Sequence, residues 1–331
     1  MIPGYVLEPA TTGAEWDAFV EASPHGTVYA LSAFLDHLDK PAQLFYCLDF
    51  GNRKAAVVLQ VDDNGETPAG DSQMIYSGVM CAGAHVKRNP SDAFGILEYF
   101  RATEFVVTEL AKRYPAFAMQ LAPSFVDIRP FLWYNYGTAG PRFAVDVRYT
   151  SYLDISDCAA EDSRAFEQMR RDRRRDVRNA QRHGITTIEE FDPELCVELH
   201  RKTMQRQQLD ISDAVAFEMI ALMAGLHHAG RGRMFVARTA EGLPASALFF
   251  GTDSKRAYAM FGGSDPAARS LPTFVAALWD GCRALANSGV RELDLEGVNS
   301  PKRGWFKLSF GGSILPYYAV SLDQRGAPSH G

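Results

Sequence analysis

Long apolar runs are absent from this chain. No stretch supplies the ~20 consecutive apolar residues that a membrane-crossing helix needs. The opening Met1-Ile2-Pro3-Gly4-Tyr5 lacks the basic patch and apolar run of a secretory signal, so the expected location is the cytoplasm. Cysteine is scarce and scattered. Cys47, Cys81, Cys158, Cys196 and Cys282 are odd in number and form no Cys-x-x-Cys pair. That argues against a disulfide framework or a zinc site and leaves small buried thiols. His183, His227 and His228 show no metal-binding pattern, and no metal is expected. The Gly-x-Ser-x-Gly, Walker, His-Glu-x-x-His and Gly-x-Gly-x-x-Gly signatures are missing too. So is an excess of positive charge: the net charge of −6 excludes a generally basic nucleic-acid surface, though not a local patch.

What is present reads as a globular α/β protein. Its 331 residues allow two domains of ~100–200 residues each. Apolar residues at 47% and charged residues at 22% give ample material for buried cores. The first half predicts helices over 15–21 and 31–38, strands over 44–50, 55–61 and 73–80, a helix over 91–113 and a strand over 117–121. Turn signals at Gly51-Asn52 and Asn64-Gly65 make those three strands antiparallel. The second half predicts helices over 161–181, 193–208 and 214–229, and strands over 233–239, 245–252 and 256–261. A helix over 272–287 and strands over 292–295 and 314–320 follow. Both halves repeat one order, so the fold expected is two tandem α/β lobes, 1–150 and 151–331, with the final strand free to pack on either. Each lobe should hold a mixed, largely antiparallel sheet flanked by helices.

Three constellations stand out. Between Arg164 and Arg182 lie eight arginines against Glu167, Asp172 and Asp176, a surplus of five that leaves −11 for the rest of the chain. Arg170, Arg171, Arg173, Arg174, Arg175 and Arg178 form its centre. Guanidinium groups grip phosphate bidentately, so the cluster fits a polyanion contact. It fits equally a solvated helix whose Arg and Asp neighbours pair across turns. Next, Asp294-Leu295-Glu296-Gly297 leads to Phe306-Lys307-Leu308-Ser309-Phe310-Gly311-Gly312. A Lys among aromatics can neutralise a forming oxyanion. Alternatively Phe306, Lys307 and Phe310 pack a strand and the Lys head reaches water. Finally, Tyr258 to Asp265, with Gly262-Gly263, is a strand ending in a glycine loop, either a plain turn or a cradle for substrate.

Together these segments resemble the FemABX family, whose members are built from two GNAT-like folds. The resemblance covers about residues 165–320 and rests on order and spacing. The basic helix ending Arg178-Asn179-Ala180-Gln181-Arg182-His183-Gly184 is similar to that family's basic lead-in to its second lobe. Thr203-Met204-Gln205-Arg206 resembles its T..R segment, Tyr258–Asp265 its Y…G.SD strand, and Asp294 through Gly312 its D..G…FK..FGG ending. No segment is long enough for the coiled-coil arm of some members, so an armless form is expected. The resemblance implies transfer of an aminoacyl or acyl group to an amine. It gives Lys307 the tetrahedral intermediate, Phe306 the shaping of its pocket, and Tyr258 and Arg206 contacts near the reacting centre. Asp294 and Glu296 are candidate bases, and Gly262 and Gly263 candidate substrate contacts. The expected donor is aminoacyl-tRNA, with no tightly bound cofactor. The acceptor is a small molecule, peptide or peptidoglycan-precursor amine.

The rival donor is acyl-CoA, on a sugar or other small amine. It is disfavoured because neither 78–85 nor 262–271 shows the Q/R-x-x-G-x-G/A loop that holds a pyrophosphate. A non-catalytic RNA-binding module is a third possibility, and the aromatic, glycine-rich surroundings of Lys307 argue against it.

Overall fold

The computed structural model describes residues 4–61, 73–83, 93–160 and 162–325. They divide into two compact units. Unit 1 holds the residues up to Arg148 together with those from Pro316 onward, and unit 2 is Tyr149–Leu315.

Unit 1 contains strands β1 (Tyr5–Pro9), β2 (Ala42–Asp49), β3 (Asn52–Gln60), β4 (Gly78–Cys81) and β5 (Ala116–Gln120). Its helices are α1 (Ala14–Ala22), α2 (Ser32–Leu35), α3 (Ala93–Arg113) and α4 (Arg129–Leu132). Strands β1-β2-β3-β4 form an antiparallel sheet in that order. The β2–β3 hairpin turns on Phe50 and Gly51, both at positive φ, one residue before the expected Gly51-Asn52. The expected Asn64-Gly65 turn and the start of the 91–113 helix lie outside the described residues. Strand β12 (Ser313–Asp323) pairs antiparallel with β5, from Asp323 opposite Ala116 to Ala319 opposite Gln120. Val57, Val106, Leu110, Phe117, Phe125 and Val320 belong to this unit's core.

Unit 2 runs from β6 (Ala144–Asp154), which crosses into it at Tyr149, through α5 (Arg164–Gln168), α6 (Arg171–Arg182) and β7 (Thr186–Glu189). Helices α7 (Pro193–Gln205) and α8 (Asp213–His228) follow, then β8 (Gly232–Arg238), β9 (Pro244–Thr252) and β10 (Ala257–Ser264). Helix α9 (Thr273–Asn287), β11 (Glu292–Asp294) and α10 (Pro301–Leu308) lead to β12. The strand order is β6-β11-β10-β9-β8-β7, antiparallel except for the parallel pair β10–β11. Asp192 caps α7 by accepting from Leu195 N at 3.0 Å, with Pro193 in the first turn, and Ser212 caps α8 through Val215 N. Phe235, Phe250, Val275, Leu278, Cys282 and Leu293 form the heart of the core.

The architecture is the expected one: mixed α/β, two sheets flanked by helices. Helices α7 and α8, of 13 and 16 residues, are the armless form. Two local expectations fail. The single helix over 161–181 is broken, because Met169 and Arg170 adopt extended backbone that buries the Met169 side chain and ties Arg170 N to Ser309 O at 3.0 Å. The segment around Lys307 is a helix, not a strand. Pro301 starts it, and Phe306 meets Phe310, just past the helix end, edge-on with ring centroids 5.3 Å apart.

One topological feature creates a site. Strands β10 and β11 pair only at Ala257–Leu293 and Tyr258–Asp294. Then β11 ends, while β10 bulges between Ala259 and Phe261 and continues to Ser264. Beyond Tyr258, β10 has an edge that β11 does not cover.

Candidate active site

The register of β10 against β9 shows which groups line that edge. Asp265 N donates to Ala245 O at 2.8 Å, which makes 265 and 245 a hydrogen-bonded pair. Pairs alternate along antiparallel strands, so Gly262 and Ser264 turn their peptide groups away from β9, onto the open edge. Helix α7 meets them with two side chains one turn apart. The Thr203 hydroxyl accepts from Ser264 N at 2.9 Å and donates to Ser264 O at 3.3 Å. The His200 ring places Nδ1 2.8 Å from Gly262 O. A carbonyl only accepts, so Nδ1 carries the proton and Nε2 the lone pair. Nε2 has no hydrogen-bond partner among the described residues.

Gly263 permits this close approach. A Cβ there would stand 2.3 Å from the backbone C and O of Leu199, too near for any side chain. Gly263 is therefore a packing residue. Its neighbour Gly262 leaves an N–H on the open edge.

Phe274, at the start of α9, links the edge to α10. It lies beside Gly262 and meets Phe306 edge-on at 5.8 Å. Next to Phe306, Lys307 reaches back to Gly297 O at 3.4 Å. No carboxylate among the described residues lies within ion-pair distance of its Nζ. Burial lowers the Lys307 pKa from its ordinary 10.5, Glu296 and Asp294 pull it back up, and Arg303 lowers it further. The loop supporting these acids is tightly tied. Asp294 is fully buried, and its Oδ1 accepts from the Thr150 hydroxyl and from Glu296 N at 2.7 Å. Glu296 sits at φ 58, a left-handed conformation that side chains avoid, and is 6% exposed.

Of the residues expected to be catalytic, Tyr258 and Asp294 are adjacent in register but both enclosed. The Tyr258 hydroxyl donates to Asp253 at 2.6 Å, and burial followed by Asp253 pushes its pKa well above 10, so it stays protonated. Its neighbour Arg256 binds Glu292 and the Tyr152 hydroxyl. Tyr258 and Asp294 are both fully buried and hydrogen-bonded. The side chain of Arg206, exposed just after α7, makes no hydrogen bond or ion pair among the described residues.

The arginine cluster sorts into two sets. Arg170 pairs with Asp172 at 2.6 Å, Arg173 with Asp176 at 2.6 Å and Arg174 with Glu167. Arg173 also stands over the Phe306 ring at 5.2 Å, which joins α6 to the helix of Lys307. Arg171, Arg175, Arg178 and Arg182 are exposed and have no ion pair among the described residues. Their spacing of four, three and four residues puts all four on one face of α6, a stripe about 16 Å long. The expected pairing of Arg with acidic neighbours therefore holds for Arg170, Arg173 and Arg174.

Residues 167–303 match a family model described as an acetyltransferase (GNAT) domain. No curated protein matches the chain. Among solved structures, the crystal structure of FemX superposes with a TM-score of 0.64 at 14% identity, covering 94% of this chain and 96% of that one. A tandem GNAT protein from the clavulanic acid biosynthesis pathway gives 0.54 at 11% identity, over 98% and 100%. The C-terminal domain of a putative lysylphosphatidylglycerol synthetase from Agrobacterium fabrum gives 0.56 at 10% identity, over 95% and 92%. These likenesses are ones of fold.

Proposed function

Because this chain carries a GNAT acetyltransferase domain on a FemABX-like tandem fold, and is thereby an acyltransferase, we propose that it forms an amide bond by moving an aminoacyl group from tRNA to an amine. The observation that carries the proposal is the half-buried Lys307 ammonium, with no carboxylate among the described residues at ion-pair distance, on the helix whose Phe306 meets Phe274 beside Gly262. A cation so placed stabilises the oxyanion that forms when an amine attacks an ester carbonyl, and it does so more strongly where water is thin. The free N–H of Gly262 is a second donor on the same edge.

Transfer is direct. All five thiols are buried, and Cys196 of α7 has its Sγ directed at Phe261 O and its pKa pushed by burial up to about 12, which leaves no thiolate there to form an acyl-enzyme. The donor follows from charge. The α6 stripe offers a phosphate backbone four guanidinium groups without an ion pair among the described residues, that of Arg178 lying over the Phe166 ring. After β10, by contrast, the Asp265 carboxylate already accepts from Ala267 N and pairs with Lys202, a poor seat for the pyrophosphate of CoA. The aminoacyl product in the name of the lysylphosphatidylglycerol synthetase agrees with this donor. With that donor, the proposed location is the cytoplasm, where charged tRNA resides. The acceptor amine is a small molecule, a peptide or a peptidoglycan precursor.

Titration of the protein with a charged tRNA pool and with acetyl-CoA, at several salt concentrations, tests the donor. The expected result is tRNA binding that weakens with salt and with Arg171→Ala/Arg175→Ala. Binding of acetyl-CoA with no response to tRNA would replace this donor by acyl-CoA.

A further inference from the structure

We propose that His200 is the general base of the transfer, taking the proton of the attacking amine at Nε2. The proposal rests on the acyl-transfer reading above and adds the proton acceptor that neither Asp294 nor Tyr258 can supply, since both are enclosed.

Three features of the ring support it. Its place is fixed: α7 is held against β10 by the Gly263 contact, and Thr203, one turn on, is bonded to Ser264. Its tautomer is fixed, because the Gly262 carbonyl requires a proton on Nδ1 and so leaves the lone pair on Nε2. Its position is the uncovered stretch of β10, on the same edge as the Gly262 N–H. Arg303, one turn before Lys307 on α10, is close enough to act electrostatically on both His200 and Lys307.

The surroundings of the ring favour its neutral form. Burial lowers the His200 pKa below 6.5, the Gly262 carbonyl raises it and Arg303 lowers it again. On α7 itself, Lys202 is paired with Glu198 and Asp265, and Arg201 with Asp213 of α8. Other titratable groups on the neighbouring elements include Glu218, His227 and His228 of α8, Tyr258 of β10 and Lys307 of α10, and β9 carries none.

The step balances without a co-reactant. The amine nitrogen forms its bond to the acyl carbon, and its proton passes to Nε2. The carbonyl electron pair rests on an oxygen facing the Lys307 ammonium. When the C–O bond to the tRNA ribose breaks, the leaving oxygen takes the proton from the imidazolium, and the neutral ring is restored.

The test follows kcat against pH for wild type and His200→Gln. It uses methoxyamine, an amine already neutral across the range, as acceptor, and a charged tRNA pool or acetyl-CoA as donor in parallel. Wild type should show an acid limb centred below 6.5. His200→Gln, melting like wild type, should lose that limb and about 100- to 10,000-fold in kcat. A variant that keeps the limb and the rate overturns the base while leaving the transferase reading intact. Transfer from acetyl-CoA alone overturns the tRNA donor and leaves His200 to be judged by the same profile. Nitrogen-15 spectra of wild type give a readout independent of turnover and of the variant's folding: Nε2 should be unprotonated at neutral pH, and an Nε2–H tautomer overturns the proposal.

Discussion

A buried ammonium without a partner costs folding free energy, and Lys307 is close to that situation. Its pKa is lower in the folded chain than in the unfolded one. Below the folded pKa both states are charged, and the folded state bears the desolvation cost. As pH rises from the folded pKa toward 10.5, the folded state loses its proton first, and the cost is relieved. Lys307→Met should therefore melt at a higher temperature than wild type at neutral pH, with an advantage that shrinks over that window. The same variant should lose transfer by at least about 100-fold, the scale of a lost oxyanion donor. Thermal melts against pH, paired with turnover, check both halves. For wild type, turnover should also fall on the alkaline side at a pH below 10.5, as Lys307 loses its charge.

Helix α7 illustrates how an element is fixed by one small residue. Gly263→Ala drives a methyl into the backbone of Leu199, which cannot give way as a side chain could. The expected destabilisation is about 3 kcal/mol, read by urea unfolding. The pattern of elements was largely legible, because hydrophobic periodicity and turn residues are local signals. What escaped depends on contacts distant in sequence. Strand β1 has one buried side chain, Leu7, and too little alternation to register. The break at Met169 and Arg170 serves a bond to Ser309. At the site, Lys307 and Phe306 were legible as a motif. His200 was not, since an isolated histidine carries no signal until β11 ends and exposes Gly262. The helical spacing of His200 and Thr203, beside a Gly-Gly strand end, was the only trace available.

Charge is arranged on the scale of the whole molecule. The net −6 arises although residues 164–182 alone carry a surplus of five positive charges. A polyanion is thus repelled by most of the surface and met at one stripe. Four phosphate contacts should give a salt dependence of log K with a slope of about −3. Removing Arg171 and Arg175 together should reduce that slope by about half, equally for tRNAs of different sequence. A steeper slope would mean that further cations take part.

The central claim is that Lys307 and the β10 edge move an aminoacyl group from tRNA to an amine. Its most direct test is single-turnover transfer of radiolabelled amino acid from a charged tRNA pool to added amines, by wild type and Lys307→Ala. Amide product with wild type and none with the correctly folded variant is the predicted result. Equal transfer by both proteins, or none from tRNA while acetyl-CoA is consumed, would contradict the account.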